Sequence, residues 1–235
     1  MSLYYFLSWI GFPLLTLIFY GLFFLQLKAA IERTAWSSDK KQKCRNRIVV
    51  GFILWGIVVS VASLSGFTGN FSFFPLNAMP LLGIPLITTL ILLFTSATKD
   101  ILTQISIESI TILQVFRVFV EIILWLLFIQ NLLPEQMTFE GRNWDILAGL
   151  SALLAARFFV KRKSLMIAWN IFGLALLINI VTIALLSMPT PFRYFHNEPS
   201  NTLVTHFPFI FLPTFLVPLA YILHLLSLRK LFMKP

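Results

Sequence analysis

Residues 114–145 read QVFRVFVEIILWLLFIQNLLPEQMTFEGRNWD. Arg117 and Glu121 interrupt an otherwise apolar run, which then ends in a polar turn bearing Glu135, Glu140, Arg142 and Asp145. Pro134 stops the helix that the apolar run predicts over 110–132, because proline lacks the N–H that a helix interior needs. Counting back from Pro134 at about 1.5 Å per residue puts Glu121 near the middle of a bilayer and Arg117 one turn deeper. A charge at that depth costs about 2.5–3.5 kcal/mol on insertion scales, so the two are candidates for function. Being four apart they share a helix face and are expected to pair directly. The plainer alternative is a structural ion pair that ties this helix to its neighbours.

Composition supports a membrane setting for that run. Of the 235 residues, 58% are hydrophobic and 11% charged, and the mean hydropathy is +0.88. A soluble domain is about a quarter charged, so this chain has too little polar surface to cover itself in water. Residues 1–27 and 48–98 carry no charge at all. At roughly 20 residues per spanning helix they hold one span and two. The first run has neither a basic leader nor a small-residue cleavage site, so it is expected as a retained helix and not a signal peptide.

The pattern predicts an all-α polytopic membrane protein, a single integral membrane domain (1–235) with seven spanning segments: 3–27, 48–65, 79–97, 110–132, 143–160, 164–188 and 207–228. Pro13 is expected to kink the first. A basic loop bearing Lys28, Arg33, Lys40, Lys41, Lys43, Arg45 and Arg47 follows it. Residues 100–113 read as an amphipathic lead-in to segment 4. Asn143 is a suitable N-cap for segment 5, with Asp145 in its first turn.

Basic residues cluster on the cytoplasmic side of membrane proteins. With the N-terminus outside and the C-terminus inside, fifteen of the 18 Lys and Arg fall inside, and only Arg142 and Arg193 outside. The net charge of +9 therefore reflects topology and anionic headgroups, and no nucleic-acid partner is expected. The basic loop is also a candidate cytosolic docking patch. The single cysteine, Cys44, excludes an internal disulfide, and no CxxC metal motif exists.

Further polar residues mark a candidate solute or ion path with Arg117 and Glu121. Asn170 and Asn179 lie on segment 6, where amides commonly bond between helices. Tyr221 and His224 lie on segment 7, which Pro213 and Pro218 interrupt; broken helices form binding sites in many transporters. A second constellation is expected on the outer face: Glu140, Arg142, Asn143 and Asp145 between segments 4 and 5, and His196, Glu198 and His206 between segments 6 and 7. Two carboxylates and two histidines there can ligate zinc with an open position, but no spacing sets two ligands on one helix face. Salt-bridged loop ends are the alternative. A retinal lysine in segment 7, facing haem histidines, a GxSG protease motif and phosphate-binding glycine loops are all missing; no cofactor is expected.

The run MTFEGRNWDILAGLSA (137–152), with FRVFVE upstream and HNEPSNT downstream, resembles a family of uncharacterised bacterial seven-helix integral membrane proteins. That resemblance implies no function or site. In topology alone, a 3+1+3 arrangement resembles small sugar and vitamin transporters of the PQ-loop and PnuC kind. The Pro-Gln dipeptide of the former is missing.

These features together suggest a multi-pass protein of the bacterial inner membrane, a small-solute or ion permease whose path runs around segments 4, 6 and 7. Its expected partners are the lipid bilayer and a small polar or anionic solute. An outer-face hydrolase and a structural subunit of a membrane complex are the alternatives.

Overall fold

The computed structural model describes residues 2–233, and among these it contains helices and no strands. Lys234, one of the basic residues expected inside, lies outside the described residues. Five helical stretches are long and apolar enough to cross a membrane: Leu3–Arg33, Ser38–Leu64, Ile107–Phe128, Lys163–Leu186 and Leu212–Phe232. Several apolar helices of spanning length fit a multi-pass membrane protein.

Helix α1 (Leu3–Arg33) runs unbroken for 31 residues through Pro13. Helix α2 (Ser38–Leu64) begins ten residues earlier than the sequence pattern suggests. The basic stretch expected as a loop is thus mostly helical, and only 34–37 turns. Lys, Gln and Arg are good helix formers, and the Ser37 hydroxyl accepts the Lys40 N–H at 3.4 Å while Asp39 occupies the first turn. Most of α2 is exposed, with Val50, Ile53, Ile57 and Val61 facing outward and only Val59 and Ser63 buried. Such an outward face suits lipid and not water.

Segment 3 is broken. Helix α3 (Met79–Leu93) meets α4 (Ser96–Thr103) at a 75° bend. The Thr95 hydroxyl accepts the Thr98 N–H at 3.2 Å and starts the second piece. Arg229 donates to the Thr95 carbonyl (2.8 Å), which also accepts the Lys99 N–H of α4 at 3.2 Å, and so ties the bend to the last helical segment. The amphipathic lead-in divides between α4 and α5 (Ile107–Leu113), which continues after a break at Gln114 into α6 (Phe116–Phe128). Asn131, with φ of +57°, sits in the left-handed region that commonly follows a helix end.

Helix α7 (Ile146–Leu154) is extended by a π-helical turn, Ala155–Phe159. At about 1.5 Å per residue the pair spans roughly 21 Å, short of the ~30 Å hydrocarbon thickness. Helix α8 (Lys163–Leu186) is regular, whereas α9 (Val217–Phe232) is preceded by a π-helical turn, Leu212–Leu216. Pro218 cannot donate to the Thr214 carbonyl, and the Trp55 indole of α2 does so instead at 3.1 Å. The Tyr20 hydroxyl of α1 likewise donates to the Phe215 carbonyl at 3.0 Å. Helices α2 and α1 thus each send a side-chain donor to the irregular backbone that precedes α9.

Helix α6 packs against α1 and α7, and α9 against α5 and α8. One apolar core joins Phe12, Phe19 and Phe23 of α1 to Phe116 and Leu124 of α6 and Leu219 of α9.

Candidate functional site

Polar groups are buried where α6, α7, α8 and α9 meet. Arg117, in the first turn of α6, is 1% exposed. It pairs with Asp145, not with Glu121 as its spacing suggests. Its Nε donates to Asp145 Oδ2 at 2.7 Å and its Nη2 to Asp145 Oδ1. Nη2 also donates to the Gly173 carbonyl of α8 (3.1 Å), and Nη1 to His224 Nε2 of α9 (2.8 Å).

The order of the two residues disfavours the local pair: an acid preceding a base is the better arrangement at this spacing, and here it is reversed.

The network continues from His224. An arginine only donates, so Nε2 of His224 accepts and Nδ1 carries the proton. Nδ1 donates to Asn170 Oδ1 at 3.0 Å, and Asn170 Nδ2 donates to the Ser227 hydroxyl (3.0 Å) and the Met166 carbonyl (2.8 Å). Gly173 makes this possible, because a Cβ there would overlap the His224 ring. Gly149 of α7 similarly lets α6 approach, since a Cβ would collide with Val118.

Glu121, also 1% exposed, has a different partner. Asn143 Nδ2 donates to both of its carboxyl oxygens, each at 2.7 Å, and to the Met137 carbonyl at 3.0 Å. Asn143 Oδ1 in turn accepts the Asp145 N–H at 3.1 Å. Asn143 therefore bridges Glu121 to the turn that holds Asp145. Helix α7 begins only at Ile146, and the Asp145 carboxylate serves Arg117 and not the helix N-terminus.

Asn143 and Asp145, expected on the outer face, are accordingly buried with Arg117 and Glu121. Because α7 is short, the preceding loop descends into the bundle to reach it. That loop folds tightly on itself: Gly141 lies so close to the Glu135 and Gln136 backbone that no Cβ fits.

The remaining residues expected on the outer face lie apart from the buried network and divide. The loop between α6 and α7 and the loop after α8 do meet, for Asn197 donates to Gln136 Oε1 at 2.8 Å and the Arg142 guanidinium lies 5.4 Å from the Phe195 ring. Glu140 turns to the Trp125 indole (2.5 Å). Glu198 pairs with Arg193 at 2.9 Å and accepts the Ser200 N–H at 2.7 Å; these bonds hold its carboxyl below the usual range. His206 faces Thr202 and Gly69, and His196 is exposed. Among the described residues no group of three His, Cys, Asp or Glu is placed to hold a metal.

Of the expected path residues, Arg117, Asn170 and His224 form one network and Glu121 adjoins it. Asn179 instead donates to the Arg142 carbonyl (2.9 Å), and the buried Tyr221 hydroxyl has no hydrogen-bond partner among the described residues. Ser227, Gly173 and Gly149 join the site without having been legible as members.

A cavity of about 70 Å³ borders the cluster, lined mainly by α6, α8, α9 and the π-helical turn before it, with Leu82 of α3 and loop residues Met137, Met188 and Val204 completing the wall. Arg117, Glu121 and Asp145 supply its polar end, and the other lining residues are apolar. The family described as a domain of unknown function, DUF8737, matches residues 76–232. The chain belongs to this family. The DUF8737 region contains every member of the buried network and leaves out α1 and α2. No curated protein and no solved structure matches the chain.

Proposed function

We propose that the chain is a small-solute or ion permease of the bacterial inner membrane, with seven spans, its N-terminus outside and its C-terminus inside. The observation that carries this is Glu121, a buried carboxyl group beside a cavity, with no cation bonded to it. Structural pairs close on themselves, as Arg117 and Asp145 do. Glu121 is left with only an amide, and a carboxyl so placed can take up and release a proton. The short α7 and the irregular start of α9 add support, because interrupted helices at membrane depth form solute sites in transporters. In the seven-span topology, segment 3 is the bent α3–α4 pair and segment 5 is the short α7 with its π turn.

Proton flux into proteoliposomes, followed by a pH-sensitive dye inside the vesicles, tests the assignment. Wild-type protein is expected to dissipate an imposed pH gradient, and Glu121→Gln to abolish that flux while keeping its unfolding temperature. Equal flux in wild type and variant overturns it.

A further inference from the structure

We infer that the cavity between α6, α8 and α9 binds a small amphipathic organic cation, an alkylammonium with a short apolar body, in exchange for a proton on Glu121. This deepens the permease assignment and rests on it for the site's role.

The charges decide the sign of the ligand. Arg117 uses four of its five N–H groups on Asp145, His224 and the Gly173 carbonyl. Both Asp145 oxygens are taken by that guanidinium, so the pair is neutral and closed. Glu121 is the remaining charged group at the cavity, and its two oxygens share one amide donor. An ionised Glu121 therefore leaves the cluster one positive charge short. A proton on its carboxyl or a bound cation makes up the difference. An anion meets a closed guanidinium and an extra carboxylate, so the site selects against it.

The walls decide the rest. Leu124, Leu177, Ile180, Leu212 and Leu216 present hydrocarbon to the cavity, which an apolar body fills and a hydrated metal ion does not. Its volume of about 70 Å³ has room for roughly five water-sized positions at about 10–15 Å³ each. That suits a chain of a few carbons and not a bulky ring system. Val181 and Leu185 of α8 and Pro213 and Val217 near α9, all only partly buried, line the same cavity. The cavity thus reaches the bundle surface between those helices, where an amine with an apolar body partitions into lipid.

The exchange balances. The carboxyl O–H of Glu121 breaks, its proton leaves to water, and the alkylammonium docks beside the carboxylate with no covalent bond formed. The cluster is neutral before and after. The other titratable groups facing this position are Arg117 of α6, Asp145 before α7 and His224 of α9; α8 contributes only uncharged groups, Gly173 and Asn170.

Isothermal titration of the detergent-purified full chain with n-pentylamine hydrochloride, n-pentanol and sodium pentanoate, in two buffers of different ionisation enthalpy, tests this. The amine is expected to bind one to one and release about one proton, with the alcohol and carboxylate at least tenfold weaker. Glu121→Gln is expected to lose at least tenfold in amine affinity and the proton release. Pentanol binding as tightly as the amine, tighter pentanoate, amine binding without proton release, or no saturable amine binding each overturns the inference. These outcomes need only wild-type protein, so they hold even where the variant fails to fold. Proton flux without amine binding refutes the ligand class and leaves the permease standing; amine binding with proton release but without flux does the reverse.

Discussion

Removing the Asp145 charge tests the buried pair most directly. Arg117 is 1% exposed and Asp145 6%, and the guanidinium meets both carboxylate oxygens. Stranding one member of such a pair costs about 3–5 kcal/mol, because a charge is left in a low-dielectric interior without its counter-charge. Asp145→Asn is therefore expected to lower the unfolding temperature by roughly 6–20 °C, at about 2–4 °C per kcal/mol for a chain of this length. Tryptophan fluorescence during heating in detergent reads this, since the chain carries six tryptophans. Adding Arg117→Met is expected to recover at least half of the loss, because no unpaired charge then remains. Glu121→Gln provides the contrast: Asn143 still donates to the amide oxygen, so about 1 kcal/mol or less is lost. A pair running along α6 would make Glu121→Gln as costly as Asp145→Asn. Coupling between positions 117 and 145 below about 0.5 kcal/mol, the level of independent sites, would refute the pairing.

Gly173→Ala is expected to cost about 1–3 kcal/mol by forcing the His224 ring away; an unchanged melting temperature would show that the ring has room. Trp55→Phe leaves the Thr214 carbonyl without its donor, at about 1–3 kcal/mol. Adding Pro218→Ala restores a backbone N–H at that turn and is expected to recover part of the loss; no recovery would disconnect the indole from the proline. In the loop after α8, the bonds from Arg193 and Ser200 hold the Glu198 carboxyl low. The stabilisation of the loop is then fully present above the unfolded value of about 4.3 and lost as pH falls through the lower folded value. A carboxyl NMR titration is expected to place the midpoint below that of Arg193→Ala, and coincident midpoints would remove the bond.

The existence of apolar helices was legible because charge-free runs longer than a bilayer is thick have few other solutions. Arg117 and Glu121 stood out for the same reason. Their partners did not, since a spacing of four offers a neighbour on the same helix and nothing in the chain reports where other helices turn their faces. Asp145 carried one hint: the segment beginning near it is short for a span, which suits a start set within the bundle. The pairing of Asn170 with His224 depends on how α8 and α9 rotate about their axes, and Gly173 acquires meaning only once that rotation is known. The helical start of α2 was readable in Ser37, Asp39 and the helix-forming lysines that follow. There the density of charge, suited to a loop and to a solvated helix alike, pointed the wrong way.

Within the buried cluster the groups divide by what they have left to give. Replacing a buried ion pair by well-packed apolar residues is often neutral or stabilising, so stability alone does not account for Arg117 and Asp145. What the pair does is fix geometry: the guanidinium ties α6 to α8 and α9 and holds the descending turn before α7. That turn carries Asn143, whose amide is the donor for Glu121. The spent groups therefore position the unspent one, a carboxyl held at the polar end of an apolar cavity. Loosening the turn should disturb Glu121 without touching it. Asn143→Ala, which frees both carboxyl oxygens and removes the acceptor of the Asp145 N–H but none of the bonds between the Arg117 and Asp145 side chains, is expected to change proton flux more than it changes folding. The opposite ranking, a collapse of stability with flux per folded molecule unchanged, would mean that Asn143 serves the fold and that Glu121 acts without it.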